Sequence, residues 1–126
     1  MNSVNAIPSL DLAYLGDAVL ELLVREHLVR SGVTGSAVLN KKALSFVTAP
    51  SQSAALENIL PHMTEEELAV FKRARNGHTP AAPKRATICE YRRATGFEAL
   101  FAWLWLSDNK ERAKELFDIA YNIAEK

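Results

Sequence analysis

The stretch LAYLGDAVLELLVREHLV, residues 12–29, decides the fold of this chain. At roughly 100° per residue on a helix, its apolar side chains cover most of the circumference. Asp17, Glu21 and Arg25 follow one another at intervals of four residues. They form one narrow polar line along an otherwise apolar helix. Glu21 and Arg25 favour an ion pair worth only roughly 0.2–0.5 kcal/mol. We therefore predict a central helix packed on several sides, with a polar line that meets a specific partner.

The length and composition indicate one globular domain. A chain of 126 residues, 48% of them hydrophobic, is long enough for one core, so we expect a single domain over residues 1–126, with residues 1–8 as a flexible N-terminal segment. There is no leader pattern at the N-terminus, and no uncharged run reaches the roughly 18 residues of a membrane span. Cys89 has no second cysteine to pair with, as is typical of reducing compartments. We expect a cytoplasmic location and no membrane partner.

The pattern of apolar residues predicts an all-α fold. Glycine and proline, five of each, fall mainly between periodic segments, and no convincing alternating strand pattern occurs. The predicted helices cover residues 9–30, 35–48, 50–60, 64–75, 87–106 and 109–124. Ser9 or Asp11 is expected to cap the first, and Thr64 with Glu67 forms a capping box at the fourth. Residues 76–86 contain Asn-Gly and two prolines, which predicts a loop.

The stretch TGFEALFAWLWL, residues 95–106, carries a second conspicuous acid, because Glu98 is its only charge. Burying an unpaired carboxylate costs several kcal/mol unless a cation, strong donors or a proton compensates for it. Arg92 or Arg93 could form a plain buried salt bridge with Asp17, and an arginine could do the same for Glu98. Alternatively, Asp17 and Glu98 lie on two packed helices and share a hard divalent cation such as Mg²⁺, which favours carboxylate oxygens. In that arrangement we expect Asp17 to be buried.

Other metal and nucleophile sites find no support in the sequence. A di-iron carboxylate bundle needs a histidine three residues after a glutamate. Glu21 and Glu98 are followed at that spacing by Val24 and Phe101. The three histidines are too scattered for a zinc site or a nucleophilic triad.

Positive charge is concentrated in one segment of a chain whose net charge is zero. Residues 72–93 carry seven lysines and arginines against Glu90 alone, a net charge of +6. Any single one of these bases could be an ordinary solvated side chain. Their concentration nevertheless favours a polyanionic partner.

Four stretches, in this order and spacing, resemble the Mini-ribonuclease III family of compact ribonuclease III relatives. They are LAYLGDAVLELLVREHL, FKRARN, Pro83-Lys84 and YRRATGFEALFAWLWL, and the resemblance extends from about residue 10 to 120. It implies an all-α, homodimeric bundle similar to a ribonuclease III endonuclease domain. It also implies cleavage of double-stranded RNA with Mg²⁺, without a separate double-stranded-RNA-binding domain.

The resemblance also implies the site residues. Asp17 and Glu98 correspond to the two catalytic, metal-binding acids of the family, so that Mg²⁺ held by them would activate water for phosphodiester hydrolysis. Classical ribonuclease III has further acids at two positions where this chain has Ala13 and Thr95. Because fewer carboxylates make a second ion harder to hold, we expect one Mg²⁺ per site. Glu21, one turn after Asp17, is a candidate for holding a water of that ion.

The basic segment is the predicted RNA-binding surface. An A-form duplex is recognised through phosphates and 2′-hydroxyls, which arginine, lysine and asparagine bind well. Affinity should fall steeply with salt. The predicted RNA-binding residues are Arg73, Arg75, Asn76, Lys84, Arg85, Arg92 and Arg93, with Lys41 and Lys42 as weaker candidates.

The resemblance suggests maturation of the 23S ribosomal RNA precursor as the physiological role, with possible assistance from a ribosomal protein. A two-fold dimer could cut both strands of a duplex, and part of the apolar surface of residues 12–29 would form its interface. Two alternatives are a catalytically silent helical dimer that binds double-stranded RNA, and an interaction module without a nucleic-acid role.

Overall fold

The computed structural model describes residues 3–77 and 87–123, which form helices joined by short turns and, within these ranges, no strand. The all-α prediction is confirmed. None of the helices in the described ranges is long and apolar enough to cross a membrane. The helices are α1 (Ser9–Arg30), α2 (Ser36–Val47), α3 (Ala49–Ile59), α4 (Glu65–Asn76), α5 (Ile88–Leu106) and α6 (Lys110–Ala120), with 3-10 turns at Val4–Ala6 and Leu60–His62.

The start of the first helix differs from its prediction. Pro8 occupies the N-cap of α1 and no side chain caps it, so the expected capping by Ser9 or Asp11 is wrong. The predicted capping box at Thr64 and Glu67 is confirmed, with both of its hydrogen bonds present. The helix begins at Pro8 because its carbonyl accepts hydrogen bonds from the N–H groups of Asp11 and Leu12, each at 3.0 Å, while proline has no N–H of its own to satisfy.

The last helix ends before its predicted limit. Asn122 adopts a left-handed φ of 55°, and Ile123 N–H donates to the carbonyl of Asp118 at 2.8 Å. This six-residue closure is typical of a helix C-terminus and ends α6 at Ala120. In the predicted loop, Asn76 still belongs to α4 and Gly77 is a bend. Residues 78–86 lie outside the described residues.

The N-terminal segment packs on the domain in its described part. Val4–Ala6 form a 3-10 turn, and Trp103 Nε1 donates to Asn5 Oδ1 at 2.9 Å. The expectation that residues 1–8 are flexible stays a prediction, because this hydrogen bond does not measure the mobility of the segment.

Helices α1 and α5 form the centre of the fold. The buried side chains Leu20 and Val24 of α1 and Phe97 and Leu100 of α5 lie in the main hydrophobic core, and α3, α4 and α6 pack against this pair. One side of α1 remains uncovered, where its large apolar residues are exposed. These residues are Leu10, Tyr14, Leu22 and Val29.

Two glycines allow the helices around α5 to approach closely. A Cβ at Gly16 of α1 would collide with the backbone carbonyl of Glu98 on α5. A Cβ at Gly96 of α5 would lie 2.6 Å from Cδ1 of the Phe71 ring on α4. Gly16 directly precedes Asp17, and Gly96 lies two residues before Glu98. Gly16 therefore lets the two helices that carry these acids come close, while Gly96 lets α4 pack against α5.

A buried ion pair ties α4 to α6. Both carboxylate oxygens of Glu67 accept hydrogen bonds from Arg112, each at 2.8 Å. Arg112 also donates to the carbonyl of His62 at 2.7 Å. Burial alone would raise the pKa of Glu67, but the hydrogen bonds from Arg112 and Thr64 outweigh it and lower that pKa.

We predict that Gly16→Ala destabilises the protein. Helix propensity alone would make alanine more stable than glycine by about 1 kcal/mol, whereas the collision with the Glu98 carbonyl should cost about 1–3 kcal/mol or more. Chemical unfolding measures the difference. Ala18→Gly, at an exposed position of the same helix, is the control for propensity and should cost about 1 kcal/mol. A Gly16→Ala variant more stable than the wild type would contradict the close approach.

We predict that Glu67 makes the protein sensitive to acid. Its folded pKa is lowered, so its contribution to stability is present above the unfolded pKa of about 4.3 and is lost as the pH falls through the folded value. Glu67→Gln should flatten this part of the profile of unfolding free energy against pH. Glu66→Gln, an exposed neighbour, should leave the profile unchanged. Equal profiles for the wild type and Glu67→Gln would refute the assignment.

Candidate active site

The two conspicuous acids meet where α1 crosses α5. The Asp17 and Glu98 carboxyl groups are close enough to hydrogen-bond when one carries a proton. Burial raises the pKa of Glu98 to about 8, and the charge of Asp17 together with this hydrogen bond adds to the rise. Glu98 thus lies in surroundings that disfavour its negative charge, directly beside the Asp17 carboxyl. Two carboxyl groups placed in this way are a site at which a cation can bind.

The two acids differ in their exposure. Glu98 is half-buried, whereas Asp17 is exposed, so the expectation that Asp17 is buried is wrong. The polar line of α1 lies beside the exposed Tyr14. Periodicity shows how polar residues align on a helix, but not whether another helix covers them. The consequence is a site that is open to solvent on the Asp17 side.

The arginines considered as salt-bridge partners of the acids are placed elsewhere. Arg93 donates to Ser53 Oγ at 2.9 Å and pairs with Glu57 at 2.6 Å, both on α3. Arg92 is exposed. Among the ion pairs of the described residues, none involves Asp17 or Glu98. The plain salt-bridge alternative is therefore not realised in the described part of the chain.

Gln52 of α3 is the functional candidate that the sequence reasoning missed. It is 2% exposed, and its amide interacts with the Glu98 carboxyl and lowers its pKa. Nε2 nevertheless has no well-formed hydrogen bond among the described residues. A signal was present in the sequence, because Gln52 is in line with the buried Leu56 and Ile59 at helical spacing. A polar residue within an apolar stripe requires a partner.

Glu21 is already engaged in the described structure. Its Oε1 accepts a hydrogen bond from Arg25 Nε at 3.1 Å, which is the i,i+4 pair that the sequence favours. Its proposed role next to a metal ion stays a prediction.

The two positions at which classical ribonuclease III has further acids carry no carboxylate in this chain. Ala13 is buried, and the Thr95 hydroxyl donates to the carbonyl of Tyr91 at 3.0 Å. No group of three or more histidine, cysteine, aspartate or glutamate residues that could hold a metal occurs in the described ranges. The site thus offers two carboxylates.

The predicted RNA-binding residues differ in exposure and in their contacts. Arg73, Asn76 and Arg92 are exposed. The Arg75 guanidinium lies over the Phe71 ring at 5.4 Å and donates to Asn76 Oδ1. Arg93 is tied to α3, as described above, and Lys84 and Arg85 lie outside the described residues.

Comparisons with known proteins agree over most of the chain. Residues 10–109 match the Ribonuclease III domain family. The Mini-ribonuclease 3 of Symbiobacterium thermophilum is 42% identical over 120 residues, which cover 95% of this chain and 92% of that protein. The Mini-ribonuclease 3 of Brevibacillus brevis is 41% identical over 121 residues, covering 96% and 90%. An X-ray crystal structure of a protein from Fusobacterium nucleatum superposes with a TM-score of 0.85 at 31% identity, covering 97% of this chain and 98% of that one.

The matched residues 10–109 include Asp17 of α1 and Glu98 of α5, so both acids lie within the family match. Members of the ribonuclease III family act on double-stranded RNA and generally depend on divalent metal ions. The chain belongs to the ribonuclease III family, in its Mini-ribonuclease III branch, and is an endoribonuclease.

Proposed function

We propose that this endoribonuclease uses Mg²⁺ held by Asp17 and Glu98 to cleave double-stranded RNA during maturation of the 23S ribosomal RNA precursor. The observation that carries the proposal is the meeting of two carboxyl groups at the α1–α5 crossing, where Gly16 lies against the backbone of Glu98. The family resemblance supports the choice of RNA and possible assistance by a ribosomal protein. Cleavage of a 23S precursor stem by the purified protein tests that part directly.

The donor set fits Mg²⁺. Two carboxylates are enough for an ion that usually keeps several waters and binds through one or two protein carboxylates. When bound, Mg²⁺ would supply Lewis-acid activation of the phosphodiester and a water of lowered pKa. Since Ala13 and Thr95 provide no further carboxylates, we propose a single ion per site.

The chain's own residues have distinct tasks in this proposal. Glu98, half-buried against α3, would bind the cation as a carboxylate held in place by its surroundings. Asp17, exposed on α1, faces the side from which an RNA phosphate can approach. Glu21 is proposed to orient a water near Asp17 once it leaves Arg25.

The RNA duplex is proposed to lie along the basic segment. Exposed Arg73, Asn76 and Arg92 support this placement, and Arg75, Lys84, Arg85 and Arg93 complete the proposed set. Arg93 also holds α5 to α3 through Ser53 and Glu57. Its substitution should therefore reduce stability as well as affinity.

A homodimer is part of the same proposal. The exposed Leu22 and Val29 of α1 support an interface there, because they lie roughly 120–140° around the helix from Asp17 and leave the acid side open. A two-fold arrangement would present one site to each strand of the duplex. The alternative, a catalytically silent dimer that binds double-stranded RNA, is an outcome of the cleavage test below.

We predict that Asp17→Asn and Glu98→Gln each abolish cleavage of long double-stranded RNA in Mg²⁺. Loss of one ligand removes several kcal/mol of transition-state stabilisation, a reduction in rate of about a thousandfold or more. Timed digestion followed by gel electrophoresis measures it. Glu26→Gln, which breaks only the exposed Glu26–Arg30 pair of α1, is the matched control and should cut at the wild-type rate.

Two results would count against the proposal. Wild-type protein that binds the RNA but leaves it intact would favour the silent dimer. Glu98→Gln protein that cuts at the wild-type rate would remove Glu98 from the site.

We predict that Arg73→Ala and Arg92→Ala weaken RNA binding and reduce its salt dependence. Each phosphate contact contributes about one unit to the slope of log affinity against log salt. Titration of labelled duplex RNA at several salt concentrations measures this slope. Arg30→Ala, an arginine paired with Glu26 at the end of α1, is the control. An Arg73→Ala slope equal to that of the wild type would exclude Arg73 from the RNA interface.

A further inference from the structure

Gln52 is a buried polar side chain without a complete set of partners. It lies in α3, is 2% exposed, and is surrounded on its own helix by the buried Ala55 and Leu56. Its Nε2 is the only buried side-chain nitrogen or oxygen in the described ranges that has no hydrogen-bond partner. By contrast, the other strongly polar buried side chain, Glu67, has both oxygens bonded to Arg112. A donor that is left unpaired in this way requires an explanation.

The group next to this donor is the Glu98 carboxyl, on which the Gln52 amide acts directly. An amide nitrogen can only donate, and an ionised carboxylate can only accept. Gln52 on α3 and Asp17 on α1 thus meet the Glu98 carboxyl from two different helices. A carboxylate has about four lone-pair sites, so it can accept a hydrogen bond from Nε2 on the α3 side and still bind a cation on the Asp17 side.

We propose that Gln52 is a positioning residue for the divalent cation: Nε2 donates to the ionised carboxylate of Glu98 and holds it in the orientation in which it binds the cation together with Asp17. The inference rests on the proposed function, because it requires a cation at the two acids. Partners of this kind orient ligand carboxylates in metal sites generally.

The chemical type of the residue fits this task. A lysine or arginine at position 52 would neutralise Glu98 and compete with the cation. The nearest arginine of α5 along the chain, Arg93, is instead held by Ser53 and Glu57 on the same helix α3. A neutral amide supplies the hydrogen bond and leaves the negative charge of the pair available.

The test compares two amides on α3. Gln52→Met keeps the size and unbranched shape of the side chain but removes the donor. We expect its affinity for Mn²⁺, which prefers the same oxygen ligands as Mg²⁺, to fall by about 10–100-fold as measured by electron paramagnetic resonance. The unfolding temperature of the metal-free protein should be unchanged or higher, because the unpaired donor is gone.

Asn58→Leu is the matched control. Asn58 Nδ2 donates to the carbonyl of Ala120 at 2.8 Å, a bond between α3 and the end of α6. We expect this variant to lower the unfolding temperature and to keep the wild-type affinity for Mn²⁺. Loss of a positioning residue should thus lower the affinity for Mn²⁺, whereas loss of a packing residue should lower the unfolding temperature.

The outcomes separate this inference from the proposed function. If the wild type binds Mn²⁺, Glu98→Gln does not, and Gln52→Met binds as tightly as the wild type, the role of Gln52 is refuted while the metal site stands. If Gln52→Met loses affinity only together with unfolding temperature, its role is packing and the inference is also wrong. If the wild type shows no saturable binding, or Glu98→Gln binds normally, the metal site itself is refuted.

Discussion

The contact between Gly16 of α1 and the backbone of Glu98 on α5 is the constraint on which the rest of the molecule depends. A side chain at position 16 would meet the Glu98 carbonyl, so only glycine lets the two helices approach this closely. The next residue along α1 is Asp17, and the residue that is contacted is Glu98 itself. A backbone contact therefore brings two like charges together at the edge of an apolar core, where a shared proton or a cation must compensate for them.

Helix α3 determines the surroundings of this pair. Three side chains of α3, Gln52, Ser53 and Glu57, interact with charged residues of α5. Ser53 and Glu57 hold the guanidinium of Arg93, while Gln52 offers Glu98 a neutral amide. As a result, the arginine nearest to Glu98 along α5 is engaged on α3, and no ion pair among the described residues involves Asp17 or Glu98.

The sequence was sufficient for the number and approximate bounds of the helices and for proposing the acid pair, because both depend on local signals. Periodicity and capping residues such as Thr64 define helices, and an isolated charge such as Glu98 in an apolar run is conspicuous without any structure. The exposure of Asp17, the pairing of Arg93 and the role of Gln52 depend on which helix covers which. These are tertiary relations between segments that are 35 to 81 residues apart in the chain, and a single sequence contains no pattern that specifies them.

The glycines also separate the architecture of the site from its chemistry. The helix axes are positioned by backbone contacts at Gly16 and by the Phe71 ring at Gly96, and neither contact involves a carboxylate. Replacing the acids with their amides should therefore preserve the shape of the molecule and remove a repulsion that it otherwise carries. Such variants would be stable, inert copies of the enzyme, suited to capturing its RNA substrates intact from cells for identification.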